Sequence, residues 1–405
     1  MSSLKSALIA LSVSATAFAD SAVEVLDWSQ NARTSQVTVN YKLTGTDSMI
    51  VTLDVLTNGV SIGATVLTNA YGDVNKLVQP GSGRITWEPW CTWPGRKIAS
   101  GVSARVTVWP TNAPPDWLAV DLTKSGCPVT YYASQEALPW GKIWQNTTYK
   151  GNVLLMRRIP ASHVLSFMGS PETEAKRIAG RETRRMCTLT NDFYIGVYPM
   201  TRRHALLLIK GPESTETGLN PLVNQSYNML RYHTNNTETL SGGLPPVNFP
   251  LTSRTFVGSS SYLKAWRGRT GLMLDLPTSA QWEFACRAGS DTPVYLHAYC
   301  DGSIAQVDNI ASPLGSVVGQ KGANNWYIFD MLGNTYEWVL DYFEENITAD
   351  AVVDPLGATS DASFRRKIRG FHWSDKGYWR SAFFTGSAYL TQQDNIGFRL
   401  CVTLP

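Results

Sequence analysis

The sequence lacks most of the motifs that assign a function directly. It contains no C-x-x-C pair, no G-x-S-x-G elbow, no P-loop and no dinucleotide-binding fingerprint. It has no tandem repeat, which argues against a solenoid. The 35 Lys+Arg nearly balance the 32 Asp+Glu, without a basic stripe, so no nucleic-acid partner is expected. After the amino-terminal segment, no apolar run reaches the ~18 residues of a membrane-spanning helix.

Residues 1–19 have the pattern of a secretory signal peptide. Lys5 supplies a positive charge, a mostly apolar run follows from residue 7, and residues 17–19 (AFA) form a small-residue cleavage site. A membrane anchor, or the first strand of the next domain, would also fit this segment. We expect export, and therefore a periplasmic, cell-surface or secreted protein with no membrane span after signal removal.

The cysteines are few, and their spacings are wide and irregular. An exported protein can form disulfides, and Cys286 and Cys300 are close enough in sequence to pair. The spacing does not establish connectivity, and a buried free thiol fits each position equally well. The six positions are Cys91, Cys127, Cys187, Cys286, Cys300 and Cys401.

Residues 20–121 predict an all-β, immunoglobulin-like sandwich. Apolar and polar residues alternate in runs such as 36–41, 50–55 and 104–109, as they do in half-buried strands. Turn signals such as residues 80–83 (PGSG) separate these runs, which is typical of a sandwich. We expect a spacer or docking module here. Residues 122–150 are interpreted as a connector.

The pattern changes over residues 151–405, where turns, glycines and tryptophans are dense. Two helices are predicted. One follows Pro277 and the capping residue Thr278, and the other covers residues 201–209. The remainder indicates short strands joined by long loops.

Several segments of this second part, in order, resemble the formylglycine-generating enzyme (sulfatase-modifying factor) family. They are residues 158–161 and 167–172, 193–198, 276–289 (LPTSAQWEFACRAG), 329–338 (FDMLGNTYEW), 369–370 with 380–382, and 395–400 (NIGFRL). The resemblance implies a loop-rich, C-type-lectin-like α+β domain, here preceded by the immunoglobulin-like sandwich. A fold does not carry an activity with it.

The resemblance also implies where catalysis would occur. Formylglycine-forming relatives resemble one another in a C-x-x-x-x-C pair that binds copper(I) soon after an R-G-G-S segment. The matching residues 369–380 (RGFHWSDKGYWR) contain no cysteine, so no copper and no catalytic residue are expected. An iron-dependent relative would need a histidine cluster, whereas the histidines here are scattered, and only His372 lies in this segment.

A structural calcium ion is expected in the loop of residues 330–337. Asp330 and Glu337 would supply carboxylates, and relatives bind calcium at the matching positions with backbone oxygens of Gly333 and Thr335. Alternatively, Glu337 only forms a salt bridge or caps a turn. Residues 309–310 (NI) match the start of a second calcium site in relatives, but the aspartate that completes it is not evident.

We favour a non-catalytic module that binds a protein or glycan through its carboxy-terminal loops. A sharper version is a variable protein of a diversity-generating retroelement, because residues 371–395 lie between two family-like anchors. The alternatives are a metal-dependent oxidoreductase related to formylglycine-generating enzyme, which would use oxygen, and a purely architectural surface protein. Aromatic rings dominate binding surfaces, although core packing fits them too. The candidate ligand-binding residues are Phe371, His372, Trp373, Tyr378, Trp379, Phe383, Phe384 and Tyr389.

Overall fold

The computed structural model describes residues 21–89, 92–93, 101–212, 218–232, 257–293, 315–358, 361, 363–371 and 380–405. The chain forms two units. Unit 1 comprises the chain up to Leu118 together with Val129–Asn146, and unit 2 comprises Ala119–Pro128 together with Thr147–Pro405.

Short antiparallel strands build unit 1. They are β1 (Ala22–Gln30), β2 (Val37–Thr44), β3 (Met49–Thr57), β4 (Val60–Ser61), β5 (Ala70–Gly72), β6 (Lys76–Val78), β7 (Gly81–Trp87), β8 (Val102–Trp109), β9 (Trp117–Asp121), which runs into unit 2, and β10 (Val129–Tyr132). One sheet has the order β1-β2-β7-β5, and the other has the order β4-β3-β6 with β8 paired to β3.

The two sheets of unit 1 share one hydrophobic core. In β2, Val37, Val39, Tyr41 and Leu43 are buried while their neighbours are more exposed, which is the period-two pattern that the sequence predicts. Trp87 is fully buried in the same cluster, and its indole N–H donates to the Val66 carbonyl oxygen at 3.1 Å. The core therefore forms from alternate residues of both sheets.

The predicted connector, residues 122–150, is divided between the two units. The Tyr131 N–H donates to the Asn75 carbonyl oxygen at 2.8 Å, within unit 1. The Leu122 N–H donates to the Asn152 carbonyl oxygen at 3.0 Å, within unit 2. Buried backbone groups need partners, so each part of the segment joins the unit that supplies them.

Unit 2 has more residues in strands than in helices, and its helices are short, consistent with the C-type-lectin-like expectation. Its elements are α1 (Thr148–Gly151), β11 (Val153–Ile159), β12 (Val164–Met168), β13 (Arg185–Leu189), β14 (Phe193–Gly196), α2 (Arg202–Lys210), α3 (Tyr227–Arg231), α4 (Tyr262–Thr270), α5 (Ser279–Arg287), β15 (Tyr336–Tyr342), β16 (Val352–Val353), β17 (Arg365–Arg369), β18 (Phe384–Ala388), β19 (Ile396–Gly397) and β20 (Cys401–Thr403). No helix among the described residues is long and apolar enough to span a bilayer.

Both predicted helices are confirmed. Thr278 caps α5 by accepting from the Gln281 N–H, and the Gln281 side chain accepts from the Thr278 N–H in return, which completes a capping box. Thr201 caps α2 through the His204 N–H. The other three helices, α1, α3 and α4, are additional to the prediction.

Three sheets of unit 2 surround the region where the site lies. The strand order β9-β11-β14-β20 runs through the central sheet, and the two smaller sheets are ordered β18-β17-β15-β19 and β12-β13-β16. Helix α5 packs against β12, β13, β15 and β17. This helix therefore joins the two smaller sheets and brings distant parts of the chain together.

Candidate functional site: a cleft at the base of the carboxy-terminal segment

The predicted ligand-binding segment begins and ends at two adjacent, paired strands. Strands β17 and β18 pair antiparallel, with Arg369 opposite Phe384, so residues 370–383 leave the sheet and return beside their starting point. Pairing across a ladder fixes the ends of the intervening segment. The segment is thus attached to the floor that these two strands form.

The described aromatic candidates belong to this floor. Phe371, Phe383, Phe384 and Tyr389 are buried, and the Phe384 ring packs edge-on against Phe343 with centroids 6.1 Å apart. Their burial favours a packing role. The other candidates, His372, Trp373, Tyr378 and Trp379, lie outside the described residues. Ligand contact by the set stays a prediction.

Arg369 anchors the first end of the segment. Its guanidinium is fully buried and donates to Ser279 Oγ at 2.8 Å and to the carbonyl oxygens of Ser381 (3.2 Å) and Ala382 (3.0 Å). It also pairs with Glu283 Oε2 at 3.0 Å. One side chain therefore ties the returning strand to α5, and its charge is compensated as burial requires.

Glu283 is the centre of this buried network. Its Oε1 accepts from Arg287 Nη2 at 2.8 Å and from the Gly169 N–H at 2.9 Å. Burial by itself raises the pKa of this carboxyl, but Arg287 and Arg369 outweigh burial and hold the pKa below its usual value. Gly169 has φ +84, and a Cβ there would lie 2.4 Å from the Thr183 carbonyl oxygen, so the close approach requires glycine.

Arg380 anchors the second end. Its guanidinium donates to Glu174 Oε1 and Glu182 Oε1, both at 2.8 Å, and to the Lys176 carbonyl oxygen at 2.8 Å. The Glu182 carboxylate is fully buried. Planar, bidentate contacts of this kind fix orientation as well as charge. Residues 372–379 are consequently bracketed by two buried arginines.

A small cleft lies beside the residues that follow this segment in the chain. Its lining includes Ala382 and Phe384 from the returning chain, Glu283 from α5, and the cationic side chains Arg181, Arg185 and Lys367. The sequence prediction included Phe384 but missed the charged residues. The available signal was Arg185, a cation two positions before the buried Cys187 and four before the buried Leu189, and therefore on the same face of β13.

The predicted calcium loop is occupied by other contacts. Both oxygens of Glu337 accept hydrogen bonds, Oε2 from Trp282 Nε1 at 2.7 Å and from Arg399 Nε at 2.6 Å, and Oε1 from Arg399 Nη2 at 2.7 Å. This is the salt bridge that the sequence left as the alternative. A carboxylate held by a guanidinium on both oxygens does not fit a calcium shell.

The second carboxylate of the loop also has neighbours. Asp330 Oδ2 accepts from the Gly319 N–H at 2.6 Å, and the Lys150 ammonium, which donates to the Gly319 carbonyl oxygen, interacts with Asp330 electrostatically. Among the described residues, no group of three or more His, Cys, Asp or Glu side chains could hold a metal ion. Calcium at Asp330, Gly333, Thr335 and Glu337 stays a prediction that this geometry does not support.

The thiols of the described residues are buried and free. They are Cys127, Cys187, Cys286 and Cys401. Burial raises the pKa of Cys187 and of Cys286 to about 12, so both remain protonated thiols. Cys286 Sγ lies 3.5 Å from Ser381 Oγ, while Cys300, with which pairing was left open, lies outside the described residues.

A family match covers the part of the chain that contains this cleft. The model described as the sulfatase-modifying factor enzyme 1-like domain matches residues 160–404. The comparison with curated proteins returned no match.

Solved structures with a similar arrangement share little sequence identity with the chain. PvdO from Pseudomonas aeruginosa has a TM-score of 0.48 at 21% identity, over 62% of this chain and 94% of that protein. Treponema denticola variable protein 1 has a TM-score of 0.44 at 19% identity, over 62% and 95%. The Major Tropism Determinant I1 variant has a TM-score of 0.29 at 11% identity, over 95% and 86%. At these values none of the three carries an argument about binding or activity.

Proposed function

Because this chain belongs to the sulfatase-modifying factor enzyme 1-like family, we propose that it is a non-catalytic member that binds a protein or glycan through residues 371–389. The observation that carries this proposal is the bracketing of residues 372–379 by the buried anchors Arg369 and Arg380. A rigid base holds a binding segment in place and lowers the entropy lost on association.

The composition of the bracketed segment also supports binding. Residues 372–379 (HWSDKGYW) include three large aromatic side chains and one histidine. Aromatic rings supply large contact area for few rotatable bonds, which is why they dominate interface hot spots. Phe371 and Phe384, which flank the segment in the chain, are buried, so we expect a ligand to meet the segment rather than these two rings.

The thiol chemistry supports a non-catalytic role. Copper(I) chemistry of this family type needs two thiolates in the carboxy-terminal segment, and residues 369–380 contain no cysteine. The buried thiols of Cys187 and Cys286 have raised pKa values and cannot supply thiolates at neutral pH.

Three further predictions from the sequence are also part of this proposal. Unit 1 would be an immunoglobulin-like sandwich that acts as a spacer, in agreement with its two sheets around one core. Residues 1–19 would direct export to the periplasm, the cell surface or the medium. The segment from residue 371 to 395 would vary between copies if a retroelement diversifies it, and a genome with neither a reverse transcriptase nor a near-copy of this segment nearby would exclude that version.

The binding function is tested by replacing the bracketed segment. The full chain and a variant with residues 372–379 replaced by glycine and serine are probed on one glycan array and one surface-protein array. We expect saturable binding that the replacement abolishes while the melting temperature stays unchanged. Trp144→Ser, which removes an exposed ring of unit 1, serves as the control and leaves binding intact.

The same preparation distinguishes binding from oxidation. Elemental analysis and oxygen uptake with a cysteine-containing peptide are measured on the full chain. A protein that contains neither copper nor iron and shows no oxygen uptake agrees with the proposal. Stoichiometric copper or iron with thiol-dependent oxygen uptake would overturn it in favour of an oxidoreductase.

A further inference from the structure

The cleft at the base of the segment is lined by more positive than negative charge. Four cationic side chains line it against one carboxylate, Glu283. Three of the four have an acidic partner within hydrogen-bonding distance. These pairs are Arg181–Glu345 (3.1 Å), Lys367–Glu344 (2.6 Å) and Arg369–Glu283 (3.0 Å).

Arg185 is the fourth cation, and it has no such partner among the described residues. It forms no ion pair or side-chain hydrogen bond with any described residue, and its Nε is buried without a partner. The register of β12 and β13 places Arg185 opposite the buried Met168, whereas the adjacent pair, Phe167 and Met186, is exposed. The Arg185 side chain therefore lies on the inner face of this sheet, toward the cleft.

The next charges around the cleft do not compensate Arg185. Arg287 adds a cation at Glu283, and Asp341 adds a carboxylate beside Lys367. Among the described residues, five cations then face four carboxylates. A buried guanidinium nitrogen without an acceptor is costly, and an oxyanion is the ligand that its donor fork fits best.

We propose that this cleft is an oxyanion subsite, in which Arg185 with Lys367 and Thr183 receives a sulfate, phosphate or carboxylate group of the ligand. Thr183, whose side chain carries a hydroxyl, belongs to the same lining. This inference rests on the proposed binding function, because Ala382 and Phe384, which follow the bracketed segment in the chain, line the cleft, and it gives the ligand its chemical class. A ligand of this kind is an acidic glycan or an acidic or phosphorylated peptide surface.

The test uses the full chain and three inorganic or simple organic probes. Melting temperature and heat of binding are measured with sodium sulfate, phosphate and acetate, each at constant ionic strength set with chloride. We expect saturable binding of at least one oxyanion in the millimolar range. Arg185→Met weakens that binding by roughly 10-fold to 100-fold, the loss expected for hydrogen bonds to a charged group.

Arg184→Met is the matched control. It removes the adjacent cation, which lies over the Phe167 ring at 4.4 Å. This variant keeps the affinity of the wild type, and Arg185→Lys recovers part of it. Equal affinity in Arg185→Met and Arg184→Met, or no saturable binding of any probe, would overturn the proposal.

A second measurement needs no variant. Crystals of the wild-type chain soaked in selenate show an anomalous peak between Arg185 and Lys367 if the subsite exists, and peaks only elsewhere contradict it. The two proposals fail separately. If the chain binds an oxyanion but no array ligand, the subsite proposal is kept and the binding function of the segment is not supported. If the chain binds an array ligand and Arg185→Met does not change that binding, the binding function of the segment is kept and the subsite proposal fails.

Discussion

Several fully buried side chains of unit 2 are charged and form ion pairs with one another. Glu337 pairs with Arg399, and Glu283 pairs with Arg369, all at 1% exposure or less. Removing one partner of such a pair leaves an uncompensated charge in a medium of low dielectric. Single residues of this kind decide whether the domain is stable.

Glu337→Gln is expected to lower the free energy of unfolding of unit 2 by about 3–5 kcal/mol, because Arg399 loses its only carboxylate partner among the described residues. Glu345→Gln, which breaks the more exposed pair with Arg181, should cost less than about 1 kcal/mol. Chemical denaturation followed by tryptophan fluorescence measures both. If calcium instead holds Glu337, chelator will destabilise the wild type and leave the Gln variant unaffected.

His204 gives unit 2 a dependence on pH. Burial lowers the pKa of its imidazole to about 4, and the ring contacts the Val153 carbonyl oxygen at 3.1 Å. Between about pH 6.5 and pH 4 the unfolded chain binds this proton and the folded chain does not. The free energy of unfolding therefore falls as pH falls through this window, by up to about 1.4 kcal/mol per pH unit from this group.

The measurement is the slope of that pH dependence, not the stability itself. His204→Gln removes the contribution of this residue and should flatten the slope. His163→Gln, at an exposed position, should leave the slope unchanged. The same slope in all three proteins would contradict the assignment.

At the scale of elements, α5 depends on its capping box. Thr278→Ala removes the oxygen that accepts from the Gln281 N–H at 3.1 Å and should cost about 1 kcal/mol or somewhat more, since this end of the helix is buried. Thr278→Ser keeps the hydroxyl and should retain most of the stability. Urea denaturation of the two variants separates the contribution of the hydrogen bond to the free energy of unfolding from the contribution of methyl-group packing.

The elements that could be predicted are those with local signals. Pro277 and Thr278 mark the start of α5, and alternation marks the strands of unit 1. Strand β15 gave no such signal, because all seven of its residues are buried and its sequence does not alternate. The type of an aromatic residue likewise does not tell whether its ring is buried, so the burial of Phe371 and Phe384 could not be predicted from the sequence.

The charged site was hidden for a different reason. Arg369 and Glu283 are 86 positions apart, and Arg380 and Glu182 are 198 positions apart. Such pairs form only when the sheets and α5 come together, so no window along the chain contains both partners. Family landmarks named Arg369 and Arg380, but their partners became visible only in the structure.

At the scale of the whole molecule, the two units have separate cores, and their stabilities can be perturbed separately. Trp87 is fully buried in unit 1, and Trp338 is fully buried in unit 2, where its indole N–H donates to the Gln225 carbonyl oxygen at 2.9 Å. Truncating a buried tryptophan to alanine removes packing and leaves a cavity, at a cost of roughly 3–5 kcal/mol.

We therefore expect two transitions in differential scanning calorimetry of the full chain. Trp87→Ala should lower the temperature of one transition, and Trp338→Ala should lower the other, because each substitution opens a cavity in only one core. A ligand of the carboxy-terminal segment should raise only the transition that Trp338→Ala lowers, since binding stabilises the unit that carries the site. A single transition that both substitutions shift equally would mean that the two cores unfold as one cooperative body, and a ligand effect would then not report on the position of its site.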